Sequence, residues 1–386
     1  MFSKIRLAVA ILFFLTALLI FFKAPTNFFW KLSIVSTEFG IVFVILCLLP
    51  LISRWWNAKT GLLSAGLLFI SLIIYLSPIY KATLVAKELP GRIKKEFGEM
   101  PHSPGTNLYK KEPFSYKTLL LSFPIKDNQE KKFITKVYHH FKSESLTLDF
   151  YESRLTNSPC VIVIHGGAWN GGDSRELPQL NSYLANRGYA VASINYRLSP
   201  KNNFPAQLED IKSAIEFLKN NAFEFKINPS NFVLLGRSAG GQLALMAAYT
   251  IKDAGIKGVI SFYAPADMVW ATFVPGNPLV LDSKKVLSDY IGCNYETGPE
   301  KYKRSSPLEF VSPDNPPTLI IHGENDVMVA YEHSKRLDEK LTKNNVKHLL
   351  VTLSWATHGC DYNFYGPSGQ ISTFAIEEFL NRVIKK

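Results

Sequence analysis

The sequence predicts an α/β fold, a mainly parallel eight-stranded sheet with helices on both faces, preceded by about three membrane-crossing helices. Three observations carry that expectation. From about residue 133 onward, short apolar runs alternate with helical patterns, and such alternation buries parallel strands between helices. Long apolar stretches crowd the first 80 residues. Between strand and helix stands Gly236-Arg237-Ser238-Ala239-Gly240, after the apolar run Asn231–Leu235 and before the small-residue pattern Gly241–Ala248.

The N-terminal elements come first. Leu7–Phe22, Phe39–Ile52 and Gly61–Tyr80 are the apolar stretches, and about 20 residues of helix cross a hydrocarbon core of roughly 30 Å. Trp30, Trp55 and Trp56 fall in the connections, and Lys4, Arg6, Lys23, Lys31, Arg54 and Lys59 flank the runs, as interfacial residues do. A cleaved signal peptide fits the first run poorly, because Phe21–Pro25 offers no small-residue cleavage site and two further runs follow. Residues 1–80 are therefore expected to be a multi-pass membrane segment, with two spans as the fallback. Residues 81–117, with Pro90, Gly91, Pro101, Pro104, Gly105 and Pro113, read as a linker holding at most a short amphipathic helix. Residues 118–386 read as one α/β domain.

Charge follows the same division. Residues 1–111 carry 13 Lys and Arg against 4 Asp and Glu, most of the chain's net +11. The remainder is nearly neutral and shows no basic stripe, which argues against nucleic acid as a partner. Lys81, Lys87, Arg92, Lys94 and Lys95 could meet anionic headgroups, although a solvated helix accounts for them better. Counting cations on each face favours a cytoplasmic position for the domain of residues 118–386. Cys47 lies in a span, and Cys160, Cys293 and Cys360 show no metal-ligand spacing and no disulfide framework.

Eight strands are predicted in the domain, at Phe133–His139, Leu146–Tyr151, Val161–Ile164, Ala190–Asn195, Phe232–Leu235, Gly258–Phe262, Thr318–Ile321 and His348–Leu353. Ligands in such folds meet the loops at the carboxyl ends of strands. Ser238 stands at one of these ends. Glycines flank a serine where a strand turns sharply into a helix, because side chains would clash where the backbones crowd, and the turn exposes the hydroxyl. Ser238 is the candidate nucleophile. At a second strand end, His165-Gly166-Gly167-Ala168-Trp169 has the glycines that let backbone N–H groups approach a developing oxyanion, with Ala239 N–H as a further donor.

The base and its acid follow by position. Of eight histidines, His358 sits in the loop Trp355–Gly359 just after the last strand, where an imidazole can swing beside Ser238. His165 belongs to the glycine loop, and His322, His333 and His348 fall in or beside regular elements. His102, His139 and His140 precede the core. Asp326 follows the strand Thr318–Ile321 and lies 32 residues before His358, with Glu324 and Asp267 as rivals for the orienting carboxylate. The order Ser238, Asp326, His358 matches one known arrangement of this triad.

With these motifs the chain resembles the esterase branch of the α/β-hydrolase superfamily that includes bacterial feruloyl and acetyl-xylan esterase-like proteins and kynurenine formamidases. Hormone-sensitive-lipase-type proteins are further relatives. The matching stretches are HGGAWNGGD at His165–Asp173, NYRLSP at Asn195–Pro200, FPAQLED at Phe204–Asp210, GRSAGGQLALMAA at Gly236–Ala248, PPTLIIHGENDVMV at Pro316–Val329 and THG at Thr357–Gly359. The resemblance implies the α/β-hydrolase fold. It assigns catalytic roles to Ser238, Asp326 and His358 and oxyanion roles to Gly166, Gly167, Ala168 and Ala239. Ala168 replaces the third glycine of the lipase-type motif, and Arg237 stands where that group has an acidic residue; both departures point toward the esterase and formamidase side. Some fifty residues, about 267–312, read as a cap-like insertion containing Trp270, Phe273, Tyr290, Tyr295 and Tyr302.

Sequence alone thus implies a membrane-anchored serine hydrolase acting on a small-molecule carboxylic ester, with no metal or cofactor required. An amidase, formamidase or serine peptidase would use the same triad. A catalytically dead tethered binding protein is a third reading, disfavoured by the intact triad.

Overall fold

The computed structural model describes residues 2–52, 58–99, 112–121, 131–141 and 144–384. Arg54, Trp55, Trp56, His102 and residues 100–111 of the expected linker lie outside the described residues.

All eight predicted strands are present, as β1 (Ile134–Phe141), β2 (Glu144–Tyr151), β3 (Ser158–Ile164), β4 (Ala190–Ile194), β5 (Ile227–Arg237), β6 (Ile256–Phe262), β7 (Thr318–Gly323) and β8 (His348–Leu353). They form one sheet in the order β1-β2-β4-β3-β5-β6-β7-β8. The β1–β2 and β2–β4 pairs are antiparallel and the others parallel. Central strands are apolar along their whole length because both faces are covered; every residue of β3 is buried. Register decides where the chemistry gathers. Ile164 at the end of β3 lies opposite Gly236 of β5, and Arg237 lies opposite Phe262 of β6, so the loops after these strands emerge side by side.

Four N-terminal helices precede the sheet: α1 (Phe2–Leu18), α2 (Asn27–Glu38), α3 (Gly40–Ile52) and α4 (Ala58–Phe97). After them come α5 (Tyr116–Leu121), α6 (Pro178–Asn186), α7 (Ala206–Asn220), α8 (Ala239–Thr250), α9 (Met268–Phe273), α10 (Ser283–Ile291), α11 (Pro299–Arg304), α12 (Glu332–Lys343) and α13 (Pro367–Val383). Residues of α7 and α8, including Ile211, Leu218, Leu243 and Leu245, cover one face of the sheet. Leu184 of α6, Phe379 of α13 and Ile93 of α4 cover the other. Between β6 and β7, α9, α10 and α11 occupy the stretch read as a cap-like insertion. Its Tyr290 is buried and stacks on Trp169 at 4.2 Å between centroids.

The expectation of three separate spans is reduced. Among the described residues, α4 is the one helix long and apolar enough to cross a membrane by itself; α2 and α3 meet the same measure only as a pair bent by 81°. Helix α1, α3 and the first half of α4 pack together through Phe43 stacked on Tyr75 and a 2.7 Å hydrogen bond between Thr16 and Tyr75. Leu12, Leu49, Leu62 and Phe69 point outward, leaving this bundle an apolar surface.

Residues 81–97 are not a linker. They continue α4, a helix of 40 residues and about 60 Å in length. Leu89, Ile93 and Phe97 recur every four residues and are buried against the β8 and α13 side of the sheet, while Arg92 donates to the Leu350 carbonyl at 2.8 Å. Lys87, Lys94 and Lys95 remain exposed. Pro78 and Pro90 suggest breaks but lie inside the helix, and tertiary packing outweighs that local cost.

Candidate active site

Strand β5 ends at Arg237 and α8 begins at Ala239, so Ser238 alone makes the turn, with φ 52° and ψ −119°. That left-handed conformation is unfavourable for a residue with a side chain. The crossing of backbones around it enforces it. A Cβ on Gly236 would lie 2.0 Å from the Gly240 carbonyl oxygen, and one on Gly240 would lie 2.2 Å from the carbonyl oxygens of Ile164 and His165. Ser238 N–H donates to the Phe262 carbonyl at 2.9 Å and pins the turn to β6.

The structure brings Ser238, His358 and Asp326 into one hydrogen-bonded chain. Ser238 Oγ lies 3.0 Å from His358 Nε2, and His358 Nδ1 lies 2.7 Å from Asp326 Oδ2. A carboxylate only accepts, so Nδ1 carries the proton and Nε2 is left to accept from the serine hydroxyl. Asp326 is buried, and its Oδ1 takes the N–H groups of Met328 at 2.8 Å and Val329 at 2.9 Å. Burial alone would raise this carboxyl, but His358 and His322 outweigh it and hold Asp326 well below the ordinary carboxylate range. Neither rival acid reaches His358. Glu324 is exposed, whereas Asp267 accepts from Trp270 N–H at 2.9 Å and pairs with Arg336 at 2.7 Å.

His322 is a participant that the sequence reading passed over. Its Nε2 sits 3.2 Å from Asp326 Oδ2 and 3.0 Å from the Val329 carbonyl, while Nδ1 meets Ser334 Oγ at 2.6 Å. The carbonyl accepts only, so Nε2 bears the proton and Asp326 receives a second imidazole N–H. A histidine at the end of a strand offers no local signal of this contact.

The glycine loop turns through three successive positive φ values, at Gly167 (100°), Ala168 (52°) and Trp169 (58°). Successive amides in such a turn point toward one side and form an anion-binding concavity. Gly167 is obligatory here, since a Cβ would lie 2.2 Å from the Gly171 carbonyl oxygen. Ala168 and Ala239 line the same cavity as Ser238. Gly166 departs from its expected role: its N–H donates to Glu176 Oε2 at 2.8 Å and is not free for an oxyanion. His165 stacks on Tyr196 at 4.2 Å and bonds its own loop through Nδ1 and the Gly166 carbonyl at 2.7 Å. Burial lowers its pKa, which keeps it neutral.

The cavity beside Ser238 measures about 50 Å³, with Trp169, Val274, Leu281, Leu287 and Met328 among its walls. His333 also lines it. Burial, then the nearby His322, pushes that imidazole down to about 3, so it is a neutral wall whose Nδ1 accepts from Asp267 N–H at 3.2 Å. Two features tie the elbow to the base loop. Arg237, next to the nucleophile, pairs with Asp361 at 2.5 Å, and Tyr263 donates to the same carboxylate at 2.6 Å. All three groups are buried or nearly so. Among the described residues no cluster of His, Cys, Asp and Glu suited to a metal ion is found.

A family profile described as BD-FAE matches residues 148–341, half of the chain. The chain belongs to the BD-FAE family of α/β-hydrolase esterases. The BD-FAE match takes in the glycine loop, Ser238 and Asp326 and stops before His358; α1 to α4 lie outside it. Among curated proteins, the chain is 28% identical over 242 residues to "Probable carboxylic ester hydrolase LipM" of Mycobacterium tuberculosis, covering 58% of this chain and 54% of that protein. "Esterase LipC" of the same organism is 28% identical over 242 residues, 58% of this chain and 59% of its own length. The chain spans about half the length of the curated relatives it matches. Solved structures of the same fold include a truncated carbohydrate esterase from gut microbiota, with TM-score 0.54, 23% identity, 65% of this chain and 98% of that one. An esterase from Pyrobaculum calidifontis gives TM-score 0.55 and 22% identity over 65% of this chain and 85% of its own. At that identity the likeness establishes the fold.

Proposed function

We propose that this protein is a membrane-associated serine esterase that cleaves a carboxylic ester through an acyl-enzyme. The observation that carries the reading is the continuous chain from Ser238 Oγ through His358 to the buried Asp326 carboxylate. Ser238 attacks the ester carbonyl as His358 Nε2 takes its proton. Asp326 stabilises the imidazolium that forms and holds its tautomer. The N–H groups of Ala239 and of the Gly167–Ala168 turn face the developing oxyanion, where each donor contributes on the order of 3 kcal/mol to lowering the barrier. His358 then returns the proton to the departing alcohol, and water repeats the sequence on the acyl-enzyme.

The small cavity beside Ser238 favours a short acyl group, and α9 to α11 act as its cap. A Thermogutta terrifontis esterase of the same fold has been solved in butyrate-bound and propionate-bound forms, which is consistent with that size. The outward apolar side chains of α1, α3 and the first half of α4 hold the enzyme to a bilayer. Purified full-length protein should hydrolyse nitrophenyl acetate or butyrate, and Ser238→Ala should lower kcat by at least about 10⁴-fold. Undiminished turnover by that variant would exclude Ser238 as the nucleophile. Flotation of the chain with lipid vesicles tests the membrane association separately.

A further inference from the structure

Residues 20–38 reach three loops of the site, those of His358, of Asp326 and of the cavity wall. Trp30 Nε1 of α2 donates to the carbonyl of His358 at 3.0 Å. The next residue, Gly359, has φ 77°, and the position of its absent Cβ is 3.4 Å from Ile34 Cδ1 and 3.9 Å from Trp30 Cζ2, so α2 lies in contact with the base loop. At the far end of α2, Glu38 is buried. Its carboxyl accepts from Ser368 N–H at 3.0 Å and lies 2.6 Å from Ser368 Oγ, which in turn takes the indole N–H of Trp355 at 2.9 Å. The Glu38 carbonyl accepts from Asn363 at 2.7 Å. Helix α2 thus grips the segment 355–368 on both sides of His358.

The connection before α2 touches the other two parts. Asn325, the neighbour of Asp326, donates to the Ile20 carbonyl at 2.9 Å. Asn277 donates to the Pro25 carbonyl at 2.8 Å, and Asn27 N–H to the Leu279 carbonyl at 3.0 Å, which fixes the loop whose Gly276 and Leu281 wall the cavity. Ala24 packs with Val280 and Val327 beneath these contacts.

We propose that residues 20–38 are a positioning element of the active site, with Trp30 and Glu38 as positioning residues that hold the His358 loop against Ser238. The segment lies outside the region matched by the BD-FAE profile. A simple tether needs no hydrogen bond to the backbone of a base. Here the main chain of His358 has such a bond from α2, and the imidazole at its tip must keep Nε2 within reach of Ser238. Displacement of a reacting group by about 1 Å costs on the order of 10²-fold in rate. This assignment rests on the triad reading, and its test keeps the two apart.

The test uses the full chain in detergent, with turnover of nitrophenyl acetate expressed per active site titrated by a fluorophosphonate. Trp30→Phe keeps an aromatic ring in α2 and removes the N–H. We expect kcat to fall about tenfold with KM changed less than twofold. Glu38→Ala should produce the same split, and Glu38→Gln, which keeps an acceptor for Ser368 N–H, should recover most of the lost rate. A role in folding alone would lower the thermal midpoint and the number of titrated sites while leaving kcat per site at the parent value. That result in both Trp30→Phe and Glu38→Ala would overturn the proposal. Absence of fluorophosphonate labelling in the parent chain would instead overturn the triad reading on which it rests.

Discussion

Glu38 makes stability depend on pH in a direction opposite to most carboxylates. Burial pushes this carboxyl up to about 8 from its ordinary 4.5; hydrogen bonds from Ser368 offset part of the rise, and Asp361 adds to it. Below about 4.5 the group is protonated both in the fold and in the unfolded chain and contributes no pH dependence. Between 4.5 and 8 the unfolded chain loses the proton while the fold retains it, so stability falls as pH rises. Above 8 both states are ionised and the loss is complete. A shift of this size corresponds to about 5 kcal/mol in full, and to about 4 kcal/mol between pH 5 and pH 8. The carboxyl is fully buried, so solvent does not screen it. Glu38→Gln cannot ionise and removes the dependence. Thermal midpoints of the detergent-solubilised parent and variant, measured from pH 5 to pH 9, should coincide near pH 5. They should diverge in favour of Gln by roughly 5 °C near pH 8. A constant difference across that range would refute the reasoning, because no titrating group would then distinguish the two proteins.

Asp326→Asn should lower kcat about 10⁴-fold while leaving the fold intact, since an amide at this position no longer enforces the Nδ1–H tautomer of His358; steady-state kinetics with a circular-dichroism check on folding tests this. Because Asp326 is held far below the usual carboxylate range, activity should show no inflection from this residue between pH 5 and pH 9 in a pH–rate profile. Gly240→Ala would bring a Cβ within 2.2 Å of two carbonyl oxygens, so the variant should lose more than about 3 kcal/mol of stability or fail to accumulate, as read by expression and thermal unfolding.

Much of the domain was legible because its signals are local. Strands buried on both faces must be apolar throughout, and β3 to β8 announce themselves as short runs of Val, Ile and Leu between turns. Ser238 is marked by the glycines that its backbone crossing demands. His358 and Asp326 fall just after strand ends, where the fold gathers its loops, and the structure brings them to Ser238. The contacts that escaped sequence reading share a different property. Arg237 and Asp361 lie 124 residues apart, and Trp30 and His358 lie 328 apart. Gly166 carries the right residue type for the glycine loop, yet Glu176 claims its N–H.

The N-terminal region shows the same division most clearly. Hydropathy marked three apolar stretches, and prolines with glycine suggested a linker after them. Helix propensity and breakers act within a few residues, whereas the run of Leu89, Ile93 and Phe97 gains its stability by packing on a sheet formed far along the chain. The sequence by itself determined the strands, the elbow at Ser238 and the loop ends that hold the candidate acid and base, because backbone crowding and burial impose residue types locally. Only the tertiary structure decided that α4 runs on into the domain, that His322 shares Asp326, and that α2 grips the loop of His358. Hydrogen bonds between distant segments demand no particular spacing along the chain, and therefore leave no pattern in it.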